Sequence, residues 1–189
     1  MENHILKRVV RIFGIFATTL ILGTTVGFTS DLPDCPTSGY FNNCFGTLNY
    51  SGDKYTGEFQ DNKRHGYGTY TFLSGERYTG YWENDMRNGF GTNIFNSGEK
   101  YNGMYKDNLR HGFGVNYFPN GETFEGWYQN DLKTGIGIIT FGGDHKGDKY
   151  IGYHLNDDMS GQGLYIWDDG RSDLCFYSKN KPSNCSGTN

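Results

Sequence analysis

The chain has 189 residues, of which 35% are hydrophobic, 17% are aromatic and 29 are glycine, and its formal net charge is -4. Glycine does not recur at every third position, which excludes a collagen-like helix, and so many aromatic residues are untypical of a disordered chain. The acidic balance and the absence of a basic run after the N-terminus argue against a nucleic-acid-binding protein.

The first 30 residues differ in composition from the rest of the chain. Lys7, Arg8 and Arg11 precede an uncharged, largely apolar run at residues 12–29. This order is typical of a secretory signal, and the run is close to the lower length limit for a membrane span. We predict that residues 1–30 form a signal peptide or an uncleaved anchor containing a short hydrophobic helix. The basic flank would place the rest of the chain outside the cytoplasm, in a periplasm, a lumen or the extracellular space.

The central region is built from five tandem units of about 23 residues, a periodicity typical of repeat proteins. The units span residues 55–77, 78–100, 101–123, 124–149 and 150–172. Each unit opens with an aromatic residue two positions before a glycine and later contains Gly-x-Gly. The residues that define this pattern are Tyr55, Gly57, Gly66, Gly68, Tyr78, Gly80, Trp82, Gly89, Gly91, Tyr101, Gly103, Gly112, Gly114, Phe124, Gly126, Gly135, Gly137, Tyr150, Gly152, Gly161 and Gly163.

Within each unit the pattern predicts two strands joined by a tight turn. Tyr55, Gly57 and Phe59 alternate with other residues, which places them on one face of a strand. An Asn/Asp pair then predicts a turn inside the unit, and a Ser-Gly, Asn-Gly or Asp-Gly step predicts the next one. A single hairpin is marginal in water, so the units must stack. The sequence therefore predicts an all-β fold of stacked hairpins, with rings packed on glycine backbone.

Four cysteines lie outside the five units, at Cys35, Cys44, Cys175 and Cys185. In a stack of ten strands the two ends are roughly 48 Å apart, far beyond the reach of a disulfide. We therefore predict the pairs Cys35–Cys44 and Cys175–Cys185, one at each end. Zinc is the alternative, but the spacings do not match those of usual zinc ligand pairs. The predicted segments around the units are a linker, a repeat region with a half-unit at each end, and a tail: residues 31–43, 44–177 and 178–189.

The pattern Tyr78-Thr-Gly80-Tyr-Trp82, followed by Gly89-Phe-Gly91, resembles the MORN repeat (membrane occupation and recognition nexus). The resemblance covers the whole repeat region at one period. It implies an elongated, twisted antiparallel ribbon of β-hairpins. It also implies a role in scaffolding, dimerisation or attachment near membranes, with phosphoinositide binding suggested for some members of the family.

The resemblance has two departures and one further implication. His154 stands where an aromatic ring is expected, and the fourth unit is longer than the others, so we expect the fifth unit to be distorted. The resemblance implies no catalytic residue in the repeat itself, and the residues predict neither a metal site nor a cofactor. We therefore expect a protein that is not an enzyme.

A basic position recurs two residues before the Gly-x-Gly of four units, at Arg64, Arg87, Arg110 and Lys133. In stacked hairpins these residues would form a column with steps of about 10 Å. The column is either a contact surface for an anionic partner or a solvated rim of the turns, neutralised by neighbouring aspartates. Elsewhere, acids such as Glu76 alternate with bases such as Arg77, a pattern typical of protection against aggregation.

A second candidate surface lies on the face opposite the tyrosines. Its residues stand between the two glycines of each Gly-x-Gly, at Tyr67, Phe90, Phe113 and Ile136. A single ribbon cannot bury apolar residues on both of its faces. Either the ribbon curls around one face or a partner covers the other.

These observations predict a non-enzymatic interaction or scaffold module, exported or tethered by residues 12–29, that binds a protein partner or itself. One alternative is a phospholipid-binding adaptor at a membrane surface, which the acidic balance counts against. The other is a glycan-binding surface or a weak hydrolase that uses the aspartates between Asp157 and Asp169.

Overall fold

The computed structural model describes residues 30–188. By its internal contacts the chain divides into two units, Met1–Asp31 and Leu32–Asn189, and the fold described below is that of the second. The predicted N-terminal helix, signal peptide or anchor falls almost entirely outside the described residues. Within residues 30–188 there is no helix long and apolar enough to cross a membrane.

The described residues form one antiparallel sheet in which thirteen strands follow one another in chain order. A short 3-10 helix, Gly143–His145, occupies the longer fourth unit. The predicted all-β sheet of consecutive hairpins is confirmed. The strands are β1 (Cys44–Tyr50), β2 (Asp53–Gln60), β3 (Lys63–Thr71), β4 (Arg77–Glu83), β5 (Met86–Ile94), β6 (Lys100–Lys106), β7 (Leu109–Tyr117), β8 (Thr123–Gln129), β9 (Leu132–Thr140), β10 (Lys149–Leu155), β11 (Asp158–Ile166), β12 (Ser172–Ser178) and β13 (Lys181–Thr188).

Both kinds of turn use the residues that the sequence suggested. Between β2 and β3, Asp61 and Asn62 have φ angles of 52° and 60°. Two-residue hairpins of type I′ need this backbone, and Asn and Asp adopt it at small cost. In the turn between β3 and β4, the amide of Phe72 donates to the carbonyl oxygen of Glu76 at 2.9 Å, and Gly75 has a φ of 92°. Turn chemistry therefore fixes the hairpin boundaries.

The two glycines of each Gly-x-Gly have different roles. Gly66 has a φ of 59° and lies at a β-bulge, where the register with β2 shifts between Gly57 and Glu58. Gly68 lies against the ring of Tyr55, and a Cβ atom there would meet the hydroxyl oxygen at 2.2 Å. The first glycine thus shapes the backbone, and the second leaves room for a ring.

We call the face that carries the first tyrosine of each unit the inner face. Its rings pack edge to face along the stack: Tyr78 lies 5.1 Å from Trp82 and 5.2 Å from Tyr105. The Tyr78 hydroxyl donates to the carbonyl oxygen of Tyr81 at 3.0 Å. Such ring pairs contribute about 0.5–1.5 kcal/mol each beyond the burial of their area. The inner face is therefore the core, although the sheet has a single layer. Its fully buried rings include Tyr55, Tyr101, Phe124 and Tyr150.

His154 takes the place of a ring in this core. It is 3% exposed, and its ring centroid lies 5.0 Å from that of Phe124 and 5.3 Å from that of Tyr150, edge to face in both cases. Gly152 pairs with Gly163, as the equivalent glycines do in the other hairpins. The expected distortion of the fifth unit is therefore wrong, because an uncharged imidazole fills the same space as a small aromatic ring.

The first end of the sheet is closed by the predicted disulfide Cys35–Cys44. The amide of Cys35 donates to the carbonyl oxygen of Phe45, and the amide of Phe45 donates to that of Pro33, both at 2.8 Å. These bonds cover part of the outer edge of β1. Residues 31–43, predicted as a linker, therefore form a cap on the first strand.

The second end is closed by the other predicted disulfide, Cys175–Cys185, which joins β12 to β13. β13 covers Lys181–Thr188 and pairs with β12 along most of its length. The prediction of a tail at residues 178–189 is therefore wrong for this stretch. Its sequence lacks the alternation of rings and glycines that marks the other strands, so only the cysteine indicated an ordered end.

Candidate interaction surface

The face opposite the inner face, which we call the outer face, carries a continuous apolar column. The predicted residues Tyr67, Phe90, Phe113 and Ile136 lie there, and each pairs with an apolar residue of the following strand. The sequence interpretation missed these partners, although strict alternation along the first strand of each unit would have found them. They are between 41% and 50% exposed. The partners are Tyr81, Met104, Trp127 and Tyr153.

Two of these pairs are aromatic. Tyr67 and Tyr81 have ring centroids 5.4 Å apart, and Phe113 and Trp127 are 6.0 Å apart, both close to perpendicular. Cross-strand pairs of this kind stabilise a sheet, but they leave a large part of each ring in contact with water. One such apolar pair occurs in each of four successive repeats. Together the pairs form an exposed apolar stripe of the kind that marks binding sites.

The predicted basic column lies elsewhere than expected. Arg64, Arg87, Arg110 and Lys133 lie on the inner face, where their side chains reach back over the rings. The Arg64 guanidinium is 4.5 Å from the centroid of Trp82 and donates to the carboxylate of Asp85 at 2.9 Å. Burial lowers the pKa of Lys133. These four residues are partly buried contacts between successive hairpins rather than a solvated rim or a contact surface, although Asp85 and Asp131 do neutralise Arg64 and Arg110 as one of the two alternatives expected.

The alternating charges beside the Ser-Gly and related turns separate onto the two faces. Glu76 accepts a hydrogen bond from Asn93 at 2.8 Å on the inner face, and Asp53 accepts one from Tyr70 at 2.7 Å. A base follows the acid in every case except Glu122, and this base points the other way and is exposed. The outer face therefore gains a basic column that its acidic neighbours in sequence do not neutralise. Its residues are Lys54, Arg77, Lys100 and Lys149.

Between the basic and apolar columns lies a row of hydroxyl and amide groups. Thr47 pairs with Thr56 at 2.9 Å, Thr69 pairs with Thr79 at 3.0 Å, and Thr92 donates to Asn102 at 2.9 Å. In the later strands the same row becomes aliphatic or acidic. Its residues there are Val115, Glu125, Ile138, Ile151, Leu164 and Leu174.

Three groups that could carry reaction chemistry have structural roles instead. Asp173, Cys175 and Cys185 cluster within 4.8 Å, but the two sulfur atoms form a disulfide and so cannot bind a metal as thiolates. Burial lowers the pKa of His154 to about 4, and the ring serves as packing in the core. Arg171 and Asp169 pair with each other in the last turn. These groups therefore contribute to the packing and the ends of the sheet.

A family model described as MORN repeat matches residues 55–77, 78–100, 101–123 and 150–170. The longer fourth unit, residues 124–149, is outside these matches, yet it folds as a hairpin like the others. No curated protein matches the chain significantly.

Among solved structures, one similar chain is the TCP10 domain of Danio rerio CPAP in complex with a peptide of Danio rerio STIL. The two sequences are 15% identical, and the match covers 65% of this chain and 95% of that one, with a TM-score of 0.17. A TM-score that low does not show that the two chains share a fold. The four matched units and the hairpins that they form do identify the family: the chain is a MORN-repeat protein, built from repeats that form an interaction module.

Proposed function

We propose that this chain is an exported, non-enzymatic interaction module whose outer face binds a protein partner. The observation that carries the proposal is the exposed apolar column. The inner face buries its own rings, whereas Tyr81, Phe90 and Trp127 keep more than two fifths of their surface in water. Aromatic side chains of this size dominate binding energies when a partner covers them.

The charges around the column also suit binding. A column of exposed bases runs parallel to it beyond the row of hydroxyl and amide groups, and such charges speed association with an acidic surface and restrict the choice of partner. The sheet holds every member of the column on paired strands, so little order has to be gained on binding.

Export is supported by the two disulfides at the ends of the sheet. Disulfides persist in oxidising compartments and are rare in the reducing cytosol of most organisms. The basic and apolar order of residues 1–29 is consistent with an export signal or an anchor. We therefore place the repeats outside the cytoplasm, with a tether at residues 12–29 if the segment stays uncleaved.

Self-association is a second candidate, favoured by the aliphatic part of the outer face. Ile136, Ile138, Ile151 and Leu164 lie close together on β9, β10 and β11. A patch of this kind is self-complementary under a two-fold axis, as in most homodimers. If the patch forms a dimer interface, Ile138→Lys converts the dimer to a monomer in light scattering, whereas Thr71→Lys on the outer face of the first repeat does not.

The partner can be captured by a photo-crosslinking residue placed at Trp127 of the full chain in its native host. The matched control carries the same residue at Leu73, which is exposed in a turn outside the column. A discrete adduct at Trp127 that the control lacks, and that Tyr81→Ser abolishes, is the expected result. Equal labelling at both positions would refute the assignment of the outer face.

Phospholipid and glycan, the two alternatives to a protein partner, are tested by binding assays on the same full chain. Flotation with phosphatidylserine vesicles tests for a phospholipid-binding adaptor, and a polysaccharide pull-down tests for glycan binding. Retention by either material, lost in Trp127→Ser but kept in Leu73→Ser, would replace the protein partner with that ligand.

A further inference from the structure

On the first three repeats the outer face presents three parallel columns, and β4 shows them within one strand. Arg77, Thr79 and Tyr81 stand two residues apart and alternate with the inner-face residues. The order is therefore a base, a hydroxyl and a ring, at steps of about 6.6 Å along the strand. The equivalent strand of the next hairpin, β6, carries a base, an amide and an apolar side chain at the same positions: Lys100, Asn102 and Met104.

The bases of these columns are free to meet a ligand. Lys54 and Arg77 are exposed and, among the residues that the structure describes, form no ion pair. Lys100 is also exposed, and its ammonium lies 5.9 Å from the ring centroid of Tyr117. Glu76, the neighbour of Arg77 in sequence, is bonded to Asn93 on the other face. An acidic ligand would therefore gain attraction without displacing an existing partner.

The hydroxyl row has hydrogen-bond donors to spare. In the pair Thr69–Thr79 one hydroxyl donates to the other, which leaves one O–H proton for an outside acceptor. Thr92 donates to the amide oxygen of Asn102, so the NH₂ group of Asn102 remains a donor. A shallow depression of about 340 Å³ is lined by Thr69, Arg77, Thr79, Thr92 and Ile94. A ligand backbone with unpaired carbonyl oxygens fits this row.

The distance between successive residues of one column discriminates among peptide conformations. One repeat is two strands, or about 9.6 Å along the stack. A polyproline II helix repeats every three residues, or about 9.3 Å. An α-helix repeats its heptad positions every 10.5 Å or so, and two residues of a β-strand span only about 6.7 Å. Across two repeats the mismatch between the peptide and the column is about 0.6 Å for a polyproline II helix, about 1.8 Å for an α-helix and nearly 6 Å for a strand.

Hydrogen bonding discriminates in the same direction. An α-helix satisfies its carbonyl oxygens internally, so it has little use for a row of hydroxyl donors. A polyproline II helix has no internal hydrogen bonds and leaves its carbonyl oxygens free. Proline-rich segments in this conformation dock on aromatic surfaces in other recognition domains, since they lose little entropy on binding.

We propose that the partner, whose existence rests on the function proposed above, presents an acidic, proline-rich segment in polyproline II conformation. It lies across strands β2 to β7, along the direction of stacking. In each turn of three residues, one proline covers the apolar column, one Asp or Glu faces the basic column, and the third residue points to solvent. The backbone carbonyl oxygens accept hydrogen bonds from the hydroxyl row. About nine residues span three repeats.

The test is binding of a fluorescent peptide of five Glu-Pro-Pro triplets to the full chain, measured by anisotropy. A peptide of Lys-Pro-Pro triplets keeps the conformation and reverses the charge, and a helical peptide of equal charge built from Glu and Ala changes the conformation. We expect binding of the first peptide alone. Arg77→Glu with Lys100→Glu should weaken it about tenfold or more, because two rim charges are reversed.

The matched control is Lys179→Glu with Lys181→Glu, which makes the same change of charge on exposed residues of the last hairpin. That hairpin begins five strands, or about 24 Å, beyond β7, which exceeds the Debye length, so the affinity should change less than about twofold. Circular dichroism of both double variants checks that the sheet is intact. Equal binding of the helical or the Lys-Pro-Pro peptide overturns the proposal. So does equal affinity of the two double variants, or binding of polygalacturonate without binding of the peptide. If no peptide binds but the crosslink at Trp127 still captures a protein, only the polyproline II segment is refuted and the proposed function stands.

Discussion

Replacing Gly91 by alanine puts a methyl group into the ring of Tyr78. A Cβ atom at Gly91 would lie 2.4 Å from the hydroxyl oxygen of Tyr78 and 2.5 Å from two carbons of the same ring. Tyr78 is almost fully buried between Trp82 and Tyr105, so its ring has no free space to enter. The ring must move, and the inner-face ladder must move with it.

The cost of this substitution follows from three contributions. Forcing a methyl group into a packed core costs about 1–3 kcal/mol. Displacing the Tyr78 hydroxyl from the carbonyl oxygen of Tyr81 costs about 1 kcal/mol more. The lower entropy of the unfolded alanine chain offsets about 0.4–1 kcal/mol. We expect Gly91→Ala to lower the free energy of unfolding by about 1–3.5 kcal/mol, measured by urea denaturation.

A double-mutant cycle isolates the clash from other effects of alanine. In a Tyr78→Ala background the three atoms nearest to the added methyl group are gone, so Gly91→Ala should cost less than about 0.5 kcal/mol or stabilise the protein slightly. An equal loss of stability in both backgrounds would refute the ring-on-glycine explanation. Gly121→Ala, in a turn with no atom near the added methyl group, reports the cost of backbone strain alone.

Three further predictions concern the ends, the inner bases and the buried histidine. Reduction of both disulfides should lower the free energy of unfolding by about 2–3 kcal/mol for each bond, in denaturation with and without a reductant; an unchanged midpoint would contradict a stabilising role. Arg110→Ala should destabilise the chain by about 1–2 kcal/mol, because it removes a ring contact and the bonds to Asp131, while Lys106→Ala should change little. Burial lowers the pKa of His154 to about 4 from 6.5, so the unfolded chain binds the proton first and stability should fall as the pH drops from about 6.5 to 4. His154→Phe should reduce that loss by a few kcal/mol; a pH profile identical to that of the original chain would show that His154 does not cause it.

Much of the fold could be predicted from the sequence because each signal is local. Alternation of rings and glycines specifies a strand, and an Asn/Asp pair specifies the turn that follows it. The disulfide pairs required one global argument, the length of the stack. β13 escaped prediction because its pairing with β12 depends on tertiary contacts and on the Cys175–Cys185 bond.

The candidate site was predicted only in part. The reach of long side chains and the face on which each charge is satisfied depend on the folded structure. Arg64 was interpreted by its closeness to a turn, yet its long side chain reaches back over Trp82. The opposite directions of Glu76 and Arg77 follow from simple alternation, but the hydrogen bond to Asn93 that occupies Glu76 comes from a neighbouring unit. Which charges are satisfied therefore depends on contacts between units.

The chain-order arrangement of the strands has a consequence for how this protein opens. Each strand pairs only with the strands before and after it, so cooperativity is passed from neighbour to neighbour rather than through one shared core. Opening should begin at the termini, where a strand has one neighbour, and amide hydrogen exchange should slow from both ends toward β6 and β7. Both covalent links lie at these two starting points. The disulfides do not connect distant parts of the molecule; they oppose strand separation at the two ends, where opening begins. This protection would matter most for an array under tension or exposed to proteases.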